Sequence, residues 1–113
     1  ASSDKSGLDA AVVVFSRRFL DSHMADVKKM YHAYDDARQR INAKPDEYRP
    51  FLVQKASFPE EVRWSYQFVT YRKPSLPAPS QVEAVIEWLE ARKLLTSEVI
   101  ARNLVDERVL AGW

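Results

Sequence analysis

The stretch Leu8-Asp9-Ala10-Ala11-Val12-Val13-Val14-Phe15 decides how the rest of the chain is read. Its consecutive β-branched residues carry no polar alternation, which is the pattern of a strand covered on both faces. The pattern predicts one short β-strand, firmest over residues 10–15. Such a strand needs neighbours on each side for its backbone hydrogen bonds. The chain offers no second run of comparable quality, since Tyr66-Gln67-Phe68-Val69-Thr70-Tyr71 alternates only weakly. The partners of this orphan strand are therefore expected outside the chain.

Working outward, Ala1-Ser2-Ser3-Asp4-Lys5-Ser6-Gly7 is small and polar and reads as a disordered leader, residues 1–7, ahead of a single domain over residues 8–113. After the strand the period changes. Ser16 is placed to cap a short helical turn through Leu20, and Ser22 to cap a long helix over about residues 23–43. Met24, Val27, Tyr31, Tyr34 and Ile41 line one side of that helix, while Lys28, Lys29, Asp35, Asp36, Gln39 and Arg40 fill the other. Pro45 suits the first position of a further helix, with the acidic Asp46 and Glu47 behind it. Phe51, Leu52 and Ala56 give that helix an apolar side, and Pro50 is expected to distort it.

Phe58-Pro59-Glu60-Glu61-Val62-Arg63-Trp64 predicts another short helix, and Pro74, Pro77 and Pro79 exclude helix from the connector that follows. From Ser80, Val82, Val85, Ile86 and Leu89 form a clear apolar stripe, with Glu83, Glu87 and Glu90 outward and Arg92-Lys93 complementing the helix dipole. Thr96 or Ser97 is expected to cap a last short helix through Arg102, before an irregular tail over residues 105–113. The fold class is mostly α with one short β-strand.

Composition narrows the chemistry chiefly by what is missing. A chain of 113 residues with 46% hydrophobic and 29% charged residues is an ordinary globular balance. Seventeen Lys+Arg against sixteen Asp+Glu leave a net charge of +1, so bulk charge does not draw it to nucleic acid or anionic lipid. There is no cysteine, hence no disulfide, thiolate nucleophile or Cys-ligated zinc. The two glycines, Gly7 and Gly112, lie near the ends and cannot build a phosphate loop, a dinucleotide fingerprint or a nucleophile elbow. The longest apolar run, residues 10–15, is far short of a membrane span, and no signal peptide is legible.

The candidate site residues each carry a plainer structural reading. His32, beside Tyr31 and Tyr34, and His23 read as helix-surface histidines and belong to no His-Glu-x-x-His pattern. Asp35-Asp36 and Asp46-Glu47 lack the alternate spacing of a calcium loop and read as solvated faces. Trp64, Tyr66, Phe68 and Tyr71 with Arg63 and Arg72 mix aromatic and basic residues, as single-stranded nucleic-acid platforms do, but the balanced charge favours core and connector packing. Trp88 reads as a packing residue. With no nucleophile beside a base and no ligand cluster, the expectation is no enzyme activity, no catalytic residue, no metal, no cofactor and no nucleic-acid partner. The ligand-binding residues stay unknown.

The order of elements, ending in Gln81-Val82-Glu83-Ala84-Val85-Ile86-Glu87-Trp88-Leu89, Leu94-Leu95 and Leu104-Val105-Asp106-Glu107-Arg108-Val109-Leu110, resembles the C-terminal portion of a known family. These are the solute-binding proteins of ATP-driven (ABC) importers for nitrate, aliphatic sulfonates, taurine and thiamine pyrimidine precursors. The resemblance covers roughly residues 8–111. It departs at Ser22-His23-Met24-Ala25-Asp26, where the family often has a proline, and at Lys93, where it commonly has a glycine; the ligand class stays open.

The resemblance implies a fragment of a two-lobed α/β periplasmic-binding-protein-like (type II) fold, with Val12-Val13-Val14 a crossover strand and the helices covering the first lobe. It further implies transport as the function, a membrane permease as partner, and a periplasmic or extracellular location, lipid-anchored in some members. The isolated fragment is expected to self-associate as a homo-oligomer. Two alternatives stand beside it: a free-standing helical protein-interaction module, and an enzyme resembling the yeast-type pyrimidine-precursor synthases of the same fold, for which no catalytic residues are legible.

Overall fold

The computed structural model describes residues 11–113. Its helices are α1 (Arg17–Ala43), α2 (Pro45–Lys55) and α3 (Pro79–Ala91), with 3-10 turns at Glu60–Val62, Ala101–Asn103 and Glu107–Leu110. The chain is mostly helical, and no strand occurs among the described residues. The expected leader and residues 8–10 of the expected strand lie outside them. Residues 11–15 are the correction: they form no strand, and Val12, Val13 and Val14 are 58%, 64% and 81% exposed. No described segment pairs with them, and an unpartnered strand has no ladder to hold it.

Two compact units divide the structure: one joins the chain up to Val27 with Ser75–Trp113, the other is Lys28–Pro74. In the first, Ser16 caps α1, its hydroxyl accepting from the Phe19 N–H at 3.2 Å and its carbonyl from the Leu20 N–H at 3.1 Å. The short turn and long helix expected to be separate are one continuous helix, bent where they meet: His23 has non-helical angles, φ −131° and ψ 25°. Ser22 does not cap the following turn. Its hydroxyl donates backward to the Arg18 carbonyl at 2.9 Å, a local bond that competes with helix geometry and bends it.

The buried apolar side chains of this unit are Leu20, Val27, Ile86 and Val109. Val27 and Ile86 come from the stripes the sequence predicts. α3 starts at Pro79, one residue before Ser80, because proline at the first helical position gives up a donor that has no partner there. The Gln81 side chain accepts from the Ala78 N–H at 3.1 Å, which is half of a capping box; Ala78 has no side-chain acceptor to supply the other half.

The helix expected after Thr96 or Ser97 is replaced by the single turn Ala101–Asn103, whose preceding residue Ile100 is extended (φ −102°, ψ 120°). The β-branched Val99-Ile100 pair resists helix, so neither hydroxyl residue has one to cap. The tail is not wholly irregular: Asp106 caps the turn Glu107–Leu110 and Val109 is buried.

In the second unit α2 begins with Pro45 and carries Asp46 and Glu47 in its first turn, as expected. It runs through Pro50. Its buried side chain is Val53, while Phe51 is 56% exposed. After α2 the expected helix over residues 58–64 is reduced to the turn Glu60–Val62, and residues 65–78 have no regular structure, the stretch from Pro74 on being kept from helix by its prolines. Asn42 stands in for a neighbouring strand: its amide donates to the Tyr71 carbonyl at 2.8 Å and accepts from the Tyr71 N–H at 2.9 Å.

Helices α2 and α3 end alike. The Phe58 N–H donates to the Val53 carbonyl and the Ser57 N–H to Gln54; the Leu94 N–H donates to Leu89 and the Lys93 N–H to Glu90. Both are Schellman caps, and their left-handed positions are filled by non-glycine residues, Ser57 at φ 52° and Lys93 at φ 54°.

Candidate functional site

The segment after α2 gathers aromatic and basic side chains into one groove. With no ladder to serve them, its carbonyls take side-chain donors. Arg49, one turn into α2, donates to the Tyr66 carbonyl at 2.6 Å and to the Arg63 carbonyl at 3.4 Å. Its guanidinium also lies 5.0 Å from the centre of the Phe68 ring and 3.3 Å from the Asp46 carboxylate. Arg63 in turn donates from Nε to the Phe58 carbonyl at 3.3 Å. Phe58, Tyr66 and Phe68 pack against one another, Phe58 and Tyr66 edge to face with centroids 4.8 Å apart. Between α2 and the Arg63-Trp64 corner lies a groove of about 430 Å³. Val53, Pro50 and Phe58 give it an apolar lining, and Arg49, Arg63 and Trp64 border it.

The aromatic and basic set therefore divides. Tyr66 and Phe68 are packing residues, Arg49 is a cation the sequence reading missed, and Trp64 stays 78% exposed. Arg49 was detectable only as a cation opposite an aromatic-rich loop. Nothing in helical periodicity marks it. Tyr71 belongs to the Asn42 pairing, and Arg72 does not line the groove.

The other candidates are not brought together. His23 stacks on Phe19 with centroids 4.5 Å apart, and its Nδ1 lies 2.8 Å from the Ser22 hydroxyl, within the other unit. His32 is exposed on α1. Asp35 pairs with Arg38 at 2.6 Å; partial burial pushes its carboxyl up, but hydrogen bonds from Arg38 and Gln39 outweigh this and hold it below the usual carboxylate range. Asp36 pairs with Arg40 and Glu47 with Lys44, both on the surface. Among the described residues no group of His, Cys, Asp and Glu could hold a metal ion.

Trp88 is half exposed and stacks under the Arg92 guanidinium at 3.9 Å, so it is a surface residue rather than a core one. A second groove of about 310 Å³ runs beside α3, with Glu83, Glu87 and Arg102 among its lining. No described helix is long and apolar enough to cross a membrane. No family model matches the chain, and no curated protein or solved structure matches it.

Proposed function

We propose that the chain is part of the substrate-binding component of an ATP-driven importer for a small solute of the sulfonate, taurine, nitrate or thiamine-precursor type. The observation that supports this reading is apolar surface left without cover. Val85 and Trp88 on α3 are 46% and 51% exposed, Tyr34 on α1 is 47% exposed, and Val12, Val13 and Val14 are outside regular structure and exposed. Helices whose apolar stripes outrun their cover are what a piece of a larger α/β lobe presents. In this reading the chain is a fragment of a two-lobed, type II binding fold, and its helices cover the sheet of the first lobe.

The partners are the solute and a membrane permease, the location is periplasmic or extracellular, and no catalysis is assigned. Calorimetry on the full gene product with taurine, alkanesulfonates, nitrate and pyrimidine precursors tests it, with micromolar binding of one of them expected. Absence of binding to all, together with a gene lacking permease and ATPase neighbours, overturns the reading. Taken alone, the chain self-associates through its uncovered stripes. Light scattering that gives a concentration-independent mass of one chain favours the free-standing helical module instead.

A further inference from the structure

We propose that the groove between α2 and the Arg63-Trp64 corner binds a small planar anion, an aromatic carboxylate or sulfonate, with its charged end on Arg63 and its ring on Trp64. This goes beyond the importer reading and does not depend on it. A groove of about 430 Å³ has room for a bicyclic aromatic molecule, and small-molecule pockets run from about 300 to 1,000 Å³. Its floor is apolar, with Val53 buried, and among the described residues that line it none is acidic.

The two guanidiniums differ in what they have left to give. Arg49 is committed to the Tyr66 and Arg63 carbonyls, and its one carboxylate partner, Asp46, is 89% exposed and 3.3 Å away. Its side chain is only 16% exposed and shared among those carbonyls and Asp46, so the open cation of the groove is Arg63. Arg63 is anchored through Nε on Phe58, and its terminal nitrogens make no bond to a described residue. An anchored guanidinium with both ends open presents the fork that a carboxylate or sulfonate takes with two bonds.

Trp64 follows directly, 78% exposed, with no ring stacked on it among the described residues. A large flat apolar surface beside an open cation fits a ligand that is itself flat, apolar and negatively charged at one end. Taurine and nitrate lack the ring. A nucleic-acid strand needs a basic track longer than one groove, and the chain carries a net charge of only +1.

The test is a titration of the chain with 2-naphthoate, followed by amide and indole N–H shifts in nitrogen-15 NMR. Saturable shifts of the Trp64 indole and of amides from Arg49 to Trp64 are expected, with a Kd below about 1 mM. Arg63→Gln and Trp64→Ala should each weaken binding about tenfold, while Arg102→Gln leaves it unchanged. The neutral 2-naphthamide should bind at least about tenfold more weakly to the unaltered chain, a comparison that needs no variant to fold. Equal affinity for acid and amide, no saturation at millimolar concentration, or tighter binding of an oligothymidylate than of 2-naphthoate overturns the proposal.

Discussion

The unit formed from the two ends of the chain buries Leu20, Val27, Ile86 and Val109, whereas Lys28–Pro74 buries only Val53. Beside the cluster of Phe58, Tyr66 and Phe68, the second unit relies on side-chain service to backbone: Arg49 on Tyr66, Arg63 on Phe58, and Asn42 on both polar groups of Tyr71. Both units are mainly helix plus helical turns, whose backbone groups satisfy one another and leave side chains free to pack. The second includes a long segment without regular structure, so its polar side chains are consumed in satisfying carbonyls. The first unit has the larger set of buried aliphatic side chains and the second has more bonds from side chains to irregular backbone, so different substitutions should break them.

The largest effect is expected from Ile86→Ala, which removes a buried side chain of the first unit and should cost about 2–4 kcal/mol in urea unfolding. A loss below about 1 kcal/mol would mean that this small apolar set does not hold the unit. Asn42→Ala is the counterpart in the second unit. It leaves both polar groups of Tyr71 without their partner and should cost about 1–3 kcal/mol, with faster hydrogen exchange at the Tyr71 amide. Unchanged exchange there would show that water already serves that backbone.

Charge also ties the first unit, and it does so in a pH-dependent way. Arg108 bonds Asp106 with distances down to 2.6 Å and reaches Asp21 at 2.9 Å, while Arg17 donates to the Asn103 carbonyl at 2.8 Å. The Arg108 hydrogen bond holds the Asp106 carboxyl below the usual range, against a smaller upward push from burial. A depressed carboxyl stabilises the fold fully above its unfolded value of about 3.9, and that stability is lost as pH falls through the lower folded value. Asp106→Asn should therefore cost about 1 kcal/mol near neutral pH, and its gap from the unaltered chain should narrow below about pH 3.9. A gap that is constant with pH would show that the lost charge of Asp106 is not what stabilises this turn.

The smallest effects are expected at the two helix ends. Ser57→Gly and Lys93→Gly relieve a left-handed backbone in one unit each and should raise stability by about 0.5–1 kcal/mol, less the extra freedom glycine has when unfolded. Thermal unfolding should show similar gains for both, since the two caps share one hydrogen-bond pattern. A gain at one alone would show that the other side chain makes a compensating contact.

Where local chemistry suffices, the chain could be read directly. Ser16 caps α1, Pro45 opens α2 ahead of two acids, the prolines keep residues 74–78 out of helix, and Val27 and Ile86 point inward, because capping, fixed φ and helical periodicity act over a few residues. What depends on distant partners was not legible. Residues 12–14 have the composition of a strand but no described neighbour to pair with, and the Ser22 hydroxyl bonds backward to the Arg18 carbonyl instead of capping the next turn. Arg49 enters the groove because carbonyls seventeen and fourteen residues away lack other donors, a demand no local pattern records. The sequence by itself determined that three long helical segments form, the Ser16 cap, the Pro45 start and the inward positions of Val27 and Ile86. Only the tertiary structure decided which polar side chains serve the irregular backbone and which, such as Arg63 and Trp64, are left open, because satisfying a carbonyl outside regular structure is a contest among whatever donors folding brings near.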